Sequence, residues 1–234
     1  MWKLIRMEWK KNHTKKYMIR QAIVIAVLGL LLFALCYGGI TVDPETGLTE
    51  SAPEIETMAV QIDLFTNLTF LIFTSVMLSS FIISAYKNKT QSLMFSYPIP
   101  RKKIILSQML AVWIFCGAAL FIGKLLIYLL LASASGLKAD FPLGYDMTSI
   151  SFYIQVLLKT VLTVTLAFIP LYIGKLMKSS KAAIISSFLL FSVMNGTIGD
   201  LTLRGNTFLP VCLFAVSLIC GFFTVHNVEK EDVM

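Results

Sequence analysis

The chain has 234 residues, of which 57% are hydrophobic and only 14% charged, with a formal net charge of +7. A soluble domain carries about 25% charged residues, so this balance excludes an ordinary soluble fold and points to the membrane class. The positive balance does not indicate nucleic acid here, because in such a chain the position of each cation carries more information than the sum.

The first segment, residues 1–19, is a basic head. On a helical wheel Trp2, Ile5 and Trp9 fall within about 60° of one another, with Lys3, Arg6 and Lys10 on the neighbouring face. Tryptophans beside cations suit an interfacial helix lying on the inner leaflet, an unspecialised basic tail being the alternative. An apolar run over about 20–40 follows, too long for a cleavable signal peptide. The loop at 41–63 then holds Asp43, Glu45, Glu50, Glu54, Glu56 and Asp63 without one cation. It reads as a solvated loop rather than an acidic vestibule.

Five further runs, at about 64–86, 107–135, 152–173, 182–199 and 208–226, approach or exceed the roughly 20 apolar residues that a helix needs to cross a bilayer. The expected fold is therefore an all-α integral membrane protein of six transmembrane helices, forming one membrane domain over 1–234. Sixteen of the 20 Lys and Arg residues lie before span one, between spans two and three, between spans four and five, or after span six. The opposite loops hold Lys138 and Arg204. This asymmetry places both termini in the cytoplasm.

The remaining two cations, Lys124 and Lys159, lie inside spans three and four. Each sits about eight residues from the external end of its span, or roughly 12 Å below that boundary. Two readings stay open. Their long stems snorkel or ion-pair, or both lysines face a wet cavity and meet anionic substrate groups. By depth the nearest anions are Asp63 and Asp146. Pro170, in span four, is tolerable where neighbours satisfy the carbonyl it frees.

Catalytic chemistry is absent from this pattern. Neither His13 nor His226 lies at membrane depth, no metal-ligand spacing appears, and no span as bounded above holds an acid near its centre. The four cysteines, Cys36, Cys116, Cys212 and Cys220, read as packed thiols. The stretch "GAALFIGKL" around Gly117–Lys124 has the wrong spacing for a phosphate loop, with Leu125 where Ser or Thr would hold magnesium. No nucleotide, cofactor or metal site is expected on this chain.

The loop between spans two and three contains "SLMFSYPIPRKK". Pro98 and Pro100 prevent a continuous helix, and Pro100 suits the start of the next one. A short turn would present Leu93, Met94 and Phe95 to a partner surface, unless they dip back into the lipid interface. The pattern Thr90-x-Ser92-Leu93-Met94-Phe95-Ser96-Tyr97-Pro98-Ile99-Pro100-Arg101-Lys102-Lys103-Ile104 resembles the first cytoplasmic loop of type-2 ABC exporter permeases. It departs at Asn88-Lys89, where many relatives carry an acid and a glycine. The resemblance implies that Ser92–Pro98 and Arg101 form a coupling helix docked in a separate ATPase subunit, and that the basic head is the interfacial connecting helix. It further implies two ATPase chains carrying ATP and Mg, a second permease copy or homologue, and a bacterial plasma-membrane location. Short external loops favour amphipathic or peptide-like cargo. A non-transporting immunity or assembly factor that binds a partner protein is the rival reading.

Overall fold

The computed structural model describes residues 2–11, 14–37, 58–83, 101–135, 147–195, 197–198, 201–202 and 208–226. In chain order the helices are α1 (Trp2–Lys11), α2 (Thr14–Tyr37), α3 (Met58–Leu78, continuing as a π-helical turn Ser79–Ile83) and α4 (Arg101–Ser135). They are followed by α5 (Ile150–Leu166), α6 (Phe168–Leu176), α7 (Ser180–Asn195) and α8 (Phe208–His226). A two-residue antiparallel ladder pairs Thr197 with Thr202 and Ile198 with Leu201 between α7 and α8. The rest of the described secondary structure is helical, as composition predicts.

Among the described residues, five segments are long and apolar enough to cross a membrane: Lys16–Ala34, Ala59–Ile83, Lys102–Ser133, Ile150–Leu176 and Phe208–His226. The fifth expected span corresponds to α7. Its 16 residues extend about 24 Å, short of the roughly 30 Å hydrocarbon thickness. The protein is thus a multipass membrane protein, its described residues forming five apolar segments of spanning length and one shorter apolar helix.

Hydroxyl side chains are common in these helices, and many bond to a carbonyl of their own helix, whereas buried Ser79 Oγ has no hydrogen-bond partner among the described residues. Thr66 donates to the carbonyl of Ile62 at 2.6 Å, Thr74 to Phe70 at 2.7 Å and Thr160 to Val156 at 2.7 Å. Such bonds to the carbonyl four residues back remove the penalty of an unpaired hydroxyl in apolar surroundings.

The expected fourth span is two helices in line. Pro170 has no N–H for the carbonyl of Leu166, so α5 stops there and Ala167 forms a turn. Hydrogen bonding resumes from Leu171 N–H to the Ala167 carbonyl at 3.2 Å.

Helix directions alternate along the chain. Antiparallel α3 and α4 bring Cys116 Sγ within 3.6 Å of Met77 Sδ, and antiparallel α4 and α5 bring Trp113 Nε1 within 3.1 Å of Thr165 Oγ1. At the end of α6 the chain reverses tightly into α7. A Cβ on Gly174 would lie 2.6 Å from Ala183 Cβ, so only glycine permits this approach. The turn is a Schellman cap: Ser179 N–H reaches the Gly174 carbonyl at 3.0 Å and Lys178 N–H the Lys175 carbonyl at 3.1 Å. Lys178 occupies its left-handed position, with φ 47°.

The amino-terminal helix differs from its wheel. Ile5 and Glu8 are buried and Trp9 is half-buried, whereas Trp2 is 65% exposed. Trp9 Nε1 donates to the carbonyl of Ala111 on α4 at 3.0 Å, and Gln108 Nε2 meets Glu8 Oε1 at 3.5 Å. Trp2 stacks edge-on against Trp9, with ring centroids 6.1 Å apart. The contact face is therefore Ile5–Glu8–Trp9, turned toward α4, and Trp2 lies at its rim. The basic head is also shorter than 1–19, because α2 already runs from Thr14.

Candidate functional site

Helix α3 begins six residues before the expected span, and this changes the status of Asp63. It is not a loop residue but lies within the helix, and its carboxylate receives both intramembrane lysines. Lys124 Nζ on α4 donates to Oδ1 at 2.7 Å, and Lys159 Nζ on α5 donates to Oδ2 at 2.5 Å. Asp63 is the fifth residue of the Ala59–Ile83 segment, near its end rather than its centre. Two ammonium groups thus compensate a carboxylate set inside the apolar segment.

Exposure separates the two lysines. The Lys124 side chain is 0% exposed, that of Asp63 14%, and that of Lys159 54%. Lys124 is thus neither snorkelled nor open to a cavity but ion-paired, the remaining arrangement among those considered for it. A buried ammonium persists only with a partner, and Asp63 is that partner. Lys159 remains open on one side. Asp146, the other anion considered, lies outside the described residues.

The cluster is sealed by apolar layers above and below. Ile62, Ile127 and Val156 belong to one buried group, together with Leu28, Leu32, Tyr128 and Leu131. Ile62, Ile127 and Val156 stand one, three and three residues from Asp63, Lys124 and Lys159 respectively. On the other side Phe70, Leu71, Leu120 and Val164 belong to the larger core shared by α3, α4, α5 and α6. Between the layers the polar contact continues one turn further, where Thr163 Oγ1 lies 3.2 Å from Asn67 Oδ1. Asp63 and Asn67 are four apart on α3, and Lys159 and Thr163 four apart on α5, so the two pairs form facing rungs. Asn67 and Thr163 were not anticipated from the sequence; their four-residue spacing from Asp63 and Lys159 was the available signal.

What this arrangement can do chemically is bind and hold charge. Two cations and one carboxylate leave the cluster one positive charge in surplus. It contains neither a thiol nor an imidazole, and among the described residues no group of three His, Cys, Asp or Glu side chains is placed to hold a metal ion.

The other sequence-derived candidates lie elsewhere. Ser92, Leu93, Met94, Phe95, Ser96, Tyr97 and Pro98 fall outside the described residues, and Arg101 opens α4. Trp2, Ile5 and Trp9 are on α1, against the half of α4 remote from Lys124. Buried Lys175, on α6, donates to the carbonyl of Thr224 in the last turn of α8 at 3.2 Å. A cation at a helix C-terminus satisfies a carbonyl that lacks an intrahelical donor, so this contact is structural.

Fold and cluster together define a multipass helical membrane protein with an ion cluster buried among three of its helices. No family model matches the chain, and no solved structure matches it. The chain is similar to "Uncharacterized protein YcbO" of Bacillus subtilis (strain 168), with 28% identity over 174 residues. That alignment covers 72% of this chain and 74% of the relative.

Proposed function

We propose that this chain is the membrane permease subunit of an ATP-driven exporter of the type-2 ABC class. The observation that carries the reading is the Thr90–Ile104 pattern, which runs from the connection after the π-helical end of α3 into the first turn of α4. Its resemblance to the coupling loop of that class supplies a place for a separate ATPase subunit to grip. Supporting it, the alternating helices gather Lys16, Arg20, Lys102, Lys103, Lys178 and Lys181 at the same end of the bundle as this connection. By the positive-inside rule that end is cytoplasmic. On this reading α7 completes a sixth crossing and both termini are cytoplasmic. Similarity to a bacterial protein supports placement in a bacterial plasma membrane.

In this mechanism the chain binds no nucleotide. Two partner ATPase chains hold ATP and Mg, and their closure pushes on the Ser92–Pro98 segment of each of two permease chains. Helix α4 begins directly after that segment and carries Lys124 at its far half. A push on α4 is thereby transmitted to the ion cluster through one rigid element. Cargo of amphipathic or peptide-like character enters from the membrane.

The test is co-expression with a candidate ABC ATPase domain. Recovery of both chains in one detergent-stable complex, with ATP hydrolysis raised over the ATPase alone, supports the exporter. A complex without any stimulation, or no association, favours a non-transporting immunity or assembly factor.

A further inference from the structure

Helix α5 carries a polar stripe across an otherwise apolar exposed face. Ser151, Gln155 and Lys159 recur every four residues and all three are exposed. The stripe closes at buried Thr163, where it meets Asn67. Beside it stand Ile154, 54% exposed, and Leu158, 60% exposed. On a helix facing only lipid tails, three consecutive polar turns are unfavourable, and a half-exposed ammonium more so. The stripe therefore needs a polar occupant.

The charge count indicates which one. One ammonium suffices to balance Asp63, and buried Lys124 supplies it through a contact sealed from the outside. Lys159 shares that carboxylate through one bond, and an ammonium has three N–H donors. One further anion at Lys159 brings the cluster to two positive and two negative charges. Its headgroup would lie along Gln155 and Ser151, and its hydrocarbon portion against Ile154 and Leu158.

We propose that Lys159, with Gln155 and Ser151, binds the anionic phosphate headgroup of a membrane amphiphile, and that Ile154 and Leu158 receive its tail. The site stands on the geometry of α3, α4 and α5 and requires no ATPase, so its failure would leave the exporter reading in place.

The experiment uses the purified full chain in a neutral detergent, with binding of dodecyl phosphate followed by native mass spectrometry or calorimetry. Dodecyl phosphocholine, which carries the same tail but a zwitterionic head, and inorganic phosphate are the comparison probes. Wild type should prefer dodecyl phosphate to the phosphocholine by at least tenfold. Lys159→Gln should weaken dodecyl phosphate roughly ten- to a hundredfold, the worth of one charge-assisted hydrogen bond. Lys159→Arg should retain most of the affinity, and Lys178→Gln, at the other end of the bundle, should be neutral. Inorganic phosphate should fail to compete. Equal binding by wild type and a well-folded Lys159→Gln protein would overturn the site. Equal binding of the two head groups would do the same, and competition by inorganic phosphate at matched concentration would overturn the amphiphile assignment.

Discussion

Asp63→Asn is the most informative single change, because it removes the one anion that two lysines share. The two contacts differ in worth. Lys159 is 54% exposed, and an ion pair in contact with solvent contributes about 0–1 kcal/mol. Lys124 is 0% exposed, so without the carboxylate its ammonium is left buried and uncompensated. Breaking a buried pair by removing one partner costs about 3–5 kcal/mol. Asp63→Asn should therefore destabilise by several kcal/mol, and Lys159→Gln by about 1 kcal/mol or less. Lys124→Gln should fall between them, because Asp63 keeps Lys159 as a partner. Removing both buried charges in Asp63→Asn/Lys124→Gln should recover much of the loss, giving a double mutant more stable than Asp63→Asn alone. Denaturant titration of the four proteins in one detergent measures this cycle. Additive effects, or an Asp63→Asn protein within 1 kcal/mol of wild type, would refute the claim that the carboxylate neutralises Lys124.

Three further expectations concern the frame around the cluster. Gly174→Leu should drive α6 from α7, since even a Cβ would stand 2.6 Å from Ala183 Cβ; overpacking of this kind costs about 1–3 kcal/mol and should lower the thermal midpoint. Lys178→Gly should raise it, because a non-glycine residue in the left-handed region costs about 1–2 kcal/mol and φ is 47° there. With native cysteines replaced, a cysteine at Lys102 should react with an impermeant maleimide only after the membrane is opened, whereas one at Glu50 should react in intact cells. External labelling at Lys102 would reverse the orientation.

Much of this was readable from apolar run length, which located the apolar helices among the described residues, and from counting residues, which put Lys124 and Lys159 at one depth. The same counting singled out Asp63 as a nearby anion. It could not show that α3 extends past Asp63, because a carboxylate at the edge of an apolar run ends the hydropathy signal whether or not its charge is neutralised by distant residues. The break at Ala167 follows from Pro170, which removes a donor from the carbonyl of Leu166. The contact face of α1 was less legible. A wheel separates apolar from charged side chains but does not distinguish a lipid surface from α4, and buried Glu8 lies off the apolar arc that the wheel defined.

The central claim is that a partner ATPase grips the loop before α4, and Phe95→Asp tests it most directly. A carboxylate at this position, buried without a partner in an ATPase cleft, should cost several kcal/mol of association. The account predicts normal membrane abundance, an unchanged thermal midpoint and loss of ATPase stimulation in the co-expressed complex. A well-folded Phe95→Asp protein that still binds its ATPase and stimulates ATP hydrolysis would contradict it.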